Sequence, residues 1–170
     1  GKGRDNAAPR LLHRFSETGR GVVPALARVL TVGVDLGKYL GHYAVYAWAD
    51  EARGWLIDYG RFEIASQELG EERATMVALR GLRDSIGGGF VQEEQGKNKS
   101  IDAVWIDAGW APTAEAVYQF CDESGGDVWR PCKSHGAGQG MERAYNVPKS
   151  TGATVRLLGN NYHFSLLKPS

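Results

Sequence analysis

The chain has no long apolar run, almost no cysteine and no net charge. No apolar stretch approaches the ~20 residues that a membrane-spanning helix needs, and the N-terminal segment lacks the apolar core of a signal peptide. Only two cysteines, Cys121 and Cys132, occur in 170 residues. They are too few for a disulfide scaffold and lack a metal-site spacing, so they are expected to be reduced, cytosolic and structural. Several catalytic signatures are missing too. "GFVQEEQGKNKS" ends in a GK pair, but the gap from Gly89 to Gly96 is too long for a phosphate loop. Asn98 also stands where Ser or Thr would hold Mg²⁺. The chain by itself is therefore not expected to hydrolyse ATP. "HGAGQG" lacks the strand–helix context of a dinucleotide fingerprint. No nucleophile elbow, Ser-His-Asp order or internal repeat stands out.

What is present suits one domain with a real core. The neutral total hides an uneven distribution. From Asp50 to Asp127 acids outnumber bases, whereas from Trp129 onward Arg130, Lys133, Arg143, Lys149, Arg156 and Lys168 face one acid, Glu142. A basic C-terminal third fits a nucleic-acid footprint, and it equally fits a solvated Lys/Arg surface.

Along the chain, residues 1–21 are polar and Arg-rich and are expected to be a linker or arm, with the domain covering 22–170. "GVVPALARV" leads into a first strand, Leu30–Asp35. His42–Asp50 and Trp55–Ile64 are expected as second and third strands, and their short connections imply an antiparallel meander. Ser66–Ile86 carries Met76, Leu79, Leu82 and Ile86 at helical spacing. "GGGFVQEEQGKNKS" is expected as a loop, Ile101–Asp107 as a strand, and Thr113–Ser124 as a helix started by Thr113 or Pro112. "GGDVWRPCK" is expected as a further strand, followed by the Gly-rich "HGAGQG" loop. The end is expected to form two strands around a Gly159–Asn161 turn. The order β-β-β-α-β-α-β is a mixed α/β arrangement. It matches the ribonuclease H-like order, in which the fourth strand lies parallel beside the first. Trp48, Trp55, Trp105, Trp110 and Trp129 could stack on bases, but most fall in strands and are more simply core or sheet-face residues.

Two acids then stand out. Asp35 in "DLG" and Asp107 in "DAG" each end an apolar strand. On adjacent parallel strands, roughly 5 Å apart, they meet at one sheet edge. Two such carboxylates repel each other, and a divalent cation relieves the repulsion. Mg²⁺ or Mn²⁺ takes oxygen ligands and keeps waters, and two ions can clamp the attacking and leaving oxygens of a phosphodiester. Either Asp alone could simply cap a turn. The glycine after each acid would admit backbone and phosphate without a Cβ in the way. Lys38 follows Asp35, and Lys133 and His135 end the strand after Asp107. These are candidate phosphate contacts, as is Arg143 in the basic third. A third acid is expected in such a site. Asp58, Glu63 and Glu142 are available, and none has a geometric claim from sequence.

Four segments carry a family resemblance. "VVPALARVLTVGVDLG" (Val22–Gly37) resembles the lead-in and first nuclease strand of lambda-type phage large terminases, and "WLIDYGRFE" their third strand. "VWIDAGWAPTAEAVYQFCDE" is similar to their Asp–small–Gly strand end and following helix, and "VWRPCKSHG" to the next strand. The resemblance covers roughly Val22–Gly136. It implies a ribonuclease H-like nuclease with Asp35 and Asp107 as the first two metal ligands of a two-metal Mg²⁺/Mn²⁺ site. It further implies cleavage of concatemeric double-stranded DNA in the host cytoplasm during packaging, with the packaging ATPase domain, portal and small terminase subunit as partners. On this resemblance the chain is expected to be the nuclease half alone, with the third ligand beyond its C-terminal hairpin. An actin/hsp70-like ATPase lobe, which shares the "VGVDLG" pattern, remains an alternative. So do a non-catalytic DNA-binding or capsid-docking module and a Holliday-junction resolvase-like enzyme.

Overall fold

A computed structural model describes residues 19–65, 67–134, 145–146, 154–157, 160–163 and 165–167. The expected arm therefore lies mostly outside the described residues, but its last residues are tied down. The Arg20 guanidinium pairs with Asp58 at 2.7 Å, and the Gly21 amide donates to the Ile57 carbonyl. Next comes a two-residue strand, β1 (Val22–Val23).

The meander forms as expected. β2 (Val29–Leu36), β3 (Leu40–Trp48) and β4 (Gly54–Glu63) pair antiparallel in succession. The turn between β2 and β3 closes through the Gly37 amide, which donates to the Leu40 carbonyl at 2.9 Å. A Cβ on Gly37 would sit 2.9 Å from that oxygen, so the turn itself demands glycine. The turn thus gives this glycine a structural reason of its own, beside the expected one of phosphate approach.

Helix α1 spans Glu71–Ile86 and buries Met76, Leu79, Leu82 and Ile86, the positions its spacing predicts. It starts later than Ser66 because Gly70 has φ 88° and breaks the helical path; Gln67–Leu69 forms a separate 3₁₀ turn. The segment expected as a loop instead holds β5 (Phe90–Gln92) and β6 (Asn98–Lys99). These pair with each other and with β1 in a small second sheet of order β1-β5-β6. Strands of two or three residues carry no period for sequence reasoning to detect.

β7 (Ala103–Asp107) lies parallel beside β2, as the ribonuclease H-like order requires. Helix α2 (Ala111–Glu123) begins at Ala111 with Pro112 in its first turn, and β8 (Trp129–Ser134) returns parallel to β7. Beyond it, β9 (Tyr145–Asn146), β10 (Thr154–Leu157), β11 (Asn160–His163) and β12 (Ser165–Leu167) complete the strands. β10 and β11 form the expected hairpin, but Asn160 and Asn161, expected in its turn, pair with Leu157 and Arg156 as the first residues of β11. The main sheet has the order β4-β3-β2-β7-β8-β12-β9. Among the described residues the fold is α/β, a mixed sheet with two helices, ribonuclease H-like.

The core lies on one side of this sheet. Leu30, Val32 and Val34 of β2, Val45 and Ala47 of β3, and Val104 and Ile106 of β7 pack with Leu79, Leu82, Val117 and Phe120 of the helices. Phe120 meets Trp129 edge-on, with ring centroids 5.3 Å apart. Arg80 of α1 grips Glu123 of α2 through two hydrogen bonds of 2.8 and 2.7 Å. The opposite face carries Gly33, Asp35, Ala44, Tyr46, Tyr59 and Trp105, and Tyr46 and Tyr59 are exposed. Both cysteines are buried and unpaired, as expected. Among the described residues, no helix is long and apolar enough to cross a membrane.

Candidate metal centre

Strand pleating decides where the two acids point. In β2 the residues alternate buried and open from Leu30 to Asp35, with Leu30, Val32 and Val34 turned to the core and Asp35 turned away. In β7, Val104 and Ile106 face the core and Asp107 does not. The β2–β7 ladder pairs Val34 with Ile106, so Asp35 and Asp107 stand one residue further on, side by side on the face away from the two described helices. Neighbouring strands are about 4.8 Å apart. The sequence expectation that the acids meet at one sheet edge thus agrees with the register.

The two carboxylates are held differently. Asp107 Oδ1 accepts a hydrogen bond of 2.8 Å from the Gly109 amide, a local turn that orients one oxygen. A Cβ on Gly109 would lie 3.0 Å from that oxygen, so this glycine makes room for the carboxylate itself. The Asp35 carboxylate has no hydrogen-bond or ion-pair partner among the described residues. Both acids line an open depression of about 430 Å³. Its floor is Gly33 and Ala44, Trp105 borders it, and His42 and Cys132 stand at its head with the acids.

The donor set suits a hard cation. Carboxylate oxygens are the ligands Mg²⁺ and Mn²⁺ prefer. Cys132 pairs with Asp107 in register and would add a soft ligand only as thiolate. Burial first, and then the Asp107 charge, push its thiol up to about 12. A bound cation would lower that value, so the preference for a hard cation rests on the two carboxylates. Among the described residues, no group of three or more His, Cys, Asp or Glu is placed to hold a metal. The carboxylate pair is thus a two-point site. Asp58 does not extend it, because Asp58 is engaged by Arg20 at 2.7 Å and by the Tyr43 hydroxyl at 3.3 Å. Glu63 sits opposite Leu40, two strands from Asp35. Glu142 lies outside the described residues.

Of the expected phosphate contacts, the two described ones, Lys38 and Lys133, are not gathered at this point. Lys38, in the β2–β3 turn, has its Nζ 3.5 Å from Glu71 and 5.4 Å from the Tyr39 ring centroid. Lys133 follows Cys132 in β8, so pleating turns it towards the helix side, and it does not line the depression. His135 and Arg143 lie outside the described residues, as does the "HGAGQG" loop.

Sequence reasoning missed His42. It pairs with Asp35 across β2–β3, is exposed and lines the same depression. The signal was present in "DLGKYLGH". A tight turn closed between Gly37 and Leu40 fixes Leu36 opposite Gly41, and hence Asp35 opposite His42.

The profile of the family described as terminase large subunit gpA, endonuclease domain, matches residues 2–157. Among solved structures, the Aquifex aeolicus member of the Ppx/GppA protein family aligns with 11% identity and a TM-score of 0.37. That alignment covers 62% of this chain and 35% of the other, so this chain spans about a third of that protein's length. A likeness at that level assigns neither a site nor an activity. No curated protein matches the chain.

Proposed function

The chain belongs to the endonuclease-domain family of the terminase large subunit, and we propose from this that it is a Mg²⁺- or Mn²⁺-dependent endonuclease cutting concatemeric double-stranded DNA during viral packaging. The observation that carries the proposal is the placement of Asp35 and Asp107, one residue past the Val34–Ile106 pair and on the open sheet face. Family membership alone gives a nuclease class; this edge supports a location for it.

The chain's own residues have separable roles. Asp107 offers its Oδ2 to a cation, because Oδ1 is already held by the Gly109 amide. Asp35 offers both oxygens. Gly33, without a side chain, leaves the floor beside Asp35 open. Cys132, paired with Asp107 in register, closes the β8 side. A bound divalent pair would supply the Lewis-acid charge and the activated water that phosphodiester hydrolysis needs. Away from the acidic pair, Lys133 and Lys38, the latter on release from Glu71, would hold the DNA backbone with His135, Arg143 and the basic C-terminal third, with little sequence readout. The packaging ATPase domain, portal and small terminase subunit are the proposed partners, and the host cytoplasm is the proposed compartment.

Plasmid cleavage in Mn²⁺ tests this directly. Asp107→Asn keeps the side chain's size and removes its charge. Its cleavage rate is expected to fall by at least ~10²-fold, the effect of losing several kcal/mol of charge stabilisation. Equal cleavage by variant and wild type would sink the assignment.

A further inference from the structure

We propose that His42 and Arg61 seat the phosphate that neighbours the one being cut, so that the cut strand leaves the acidic pair over β3 and β4. The inference rests on the acidic-pair reading above and adds a direction to it. Asp35 pairs with His42 across β2–β3, and His42 pairs with Arg61 across β3–β4. Directly paired residues share a face. Asp107, Asp35, His42 and Arg61 therefore form one row across the open face, His42 about 5 Å and Arg61 about 10 Å from Asp35 by strand spacing.

The state of these side chains supports the seat. His42 and Arg61 are both exposed, and neither has a hydrogen-bond or ion-pair partner among the described residues. Among the described residues, most other cations are committed. Arg20, Arg28, Lys38, Arg80, Arg83 and Lys99 each pair with a carboxylate. On the β8 side of the acids, Arg130 lies over the Trp105 ring at 5.4 Å and donates to the Asp127 carbonyl. Glu63 shares the face of Arg61 but stands opposite Leu40, two pairs further along. Two carboxylates repel an approaching polyanion, so a strand held over them needs donors beside them. The row supplies donors on the β3–β4 side. A guanidinium forks onto phosphate oxygens, and an imidazole N–H donates one further hydrogen bond.

The test uses the full chain and a fluorescent DNA duplex, with Ca²⁺ replacing Mg²⁺ or Mn²⁺ so that binding is read without turnover. Anisotropy is followed against KCl concentration. Arg61→Gln is expected to weaken binding about threefold to tenfold at low salt and to reduce the slope of log K against log salt by about 1. Arg61→Lys keeps the slope, and His42→Ala weakens binding by about twofold to fivefold. Arg73→Gln, an exposed arginine in the first turn of α1, leaves affinity and slope unchanged. Wild-type binding by Arg61→Gln and His42→Ala overturns the seat, as does an equal loss in Arg73→Gln. If Arg61→Gln melts early, Arg61→Met gives the same readout with the side-chain stem retained. Cleavage by Asp107→Asn separates the two readings. Cleavage surviving in that variant overturns the acidic centre and the adjacency with it. Cleavage lost there, with Arg61→Gln binding unchanged, overturns the seat alone.

Discussion

Gly33→Val separates the needs of the fold from those of the depression. Gly33 lies in the middle of β2, between Ala44 on β3 and Trp105 on β7, and its backbone is ordinary extended strand. A Cβ built there meets no atom within 4 Å. A strand glycine costs about 0.5–1 kcal/mol relative to alanine through backbone entropy, and a β-branched residue suits a pleated surface better still. The substitution should therefore stabilise the chain by about 0.5–1 kcal/mol, a rise in Tm of about 1–4 °C for a domain of this size. The same isopropyl group stands on the floor of the depression, two residues from Asp35 and on its face. A ligand pressed against it meets an overpacked site, at about 1–3 kcal/mol, or roughly fivefold to 150-fold in affinity. The assay is a thermal melt alongside DNA binding in Ca²⁺ and cleavage in Mn²⁺. A raised Tm with weakened binding and cleavage is the expected result. A Tm lowered by several degrees would show that the floor is not open space. Unchanged binding and cleavage would show that substrate does not enter the depression, and the site argument would fail there.

Gly109→Ala places a methyl 3.0 Å from Asp107 Oδ1, so the carboxylate must turn. Cleavage should drop by at least ~10-fold from misplacement alone, with Tm within about 2 °C of wild type; an unchanged rate would show that the orientation of Asp107 is immaterial. Gln92 is 7% exposed and donates to the Ala27 carbonyl at 3.0 Å, with the Ala25 and Pro24 carbonyls at 3.3 and 3.4 Å. Gln92→Glu replaces that donor by a buried charge among carbonyl oxygens and should cost about 3 kcal/mol in urea unfolding at pH 7; a loss below about 1 kcal/mol would show that this clamp on the lead-in does not matter. Hydrogen bonding from Arg80, helped by Arg83, holds the Glu123 carboxyl below its usual 4.5. A carboxyl with a lowered folded pKa contributes stability above its unfolded value and loses it as the pH falls through the folded one. Glu123→Gln should thus cost about 1 kcal/mol at pH 7, the pair being partly solvated, and the gap from wild type should close as the pH drops below 4.5. A gap that stays constant into acid would refute the ion-pair account.

What could be read from the sequence followed from periods and turns. Val32, Val34, Val45, Ala47, Val104 and Ile106 alternate with open positions and mark the strands; the short connections give the meander, and the ribonuclease H-like order gives the parallel fourth strand. The helical spacing of Met76, Leu79, Leu82 and Ile86 places α1. The site was legible as far as it depended on strand ends, since both Asp35 and Asp107 terminate apolar runs. The β1-β5-β6 sheet was not, because its strands are too short for a pattern and Gln92, the residue that anchors it, is polar. His42 was hidden for a different reason. A single histidine in a strand gives no signal until the partner across the turn is counted off. The side of β8 to which Lys133 turns likewise depends on the pairing of Cys132 with Asp107, a register between residues 25 apart in sequence.

The position of His42 is set by the core rather than by the site. β2, β7 and β8 run in one direction, so Asp35, Asp107 and Cys132 all arrive at the same edge from the ends of their strands. β3 runs the other way and brings its first residues there. Slipping β3 by one residue against β2 would turn Val45 and Ala47, both fully buried, out to the open face. Burying two such side chains is worth several times the free energy of any single polar contact on an exposed sheet face. The register that keeps Val45 against Val32 therefore also keeps His42 opposite Asp35 and Arg61 opposite His42. A row of donors and acids on the solvent face is thus fixed by apolar contacts on the other face. Residues in that row can be exchanged one at a time with little effect on the fold, and that separability is what makes the acidic centre and the proposed phosphate seat open to test by single substitutions.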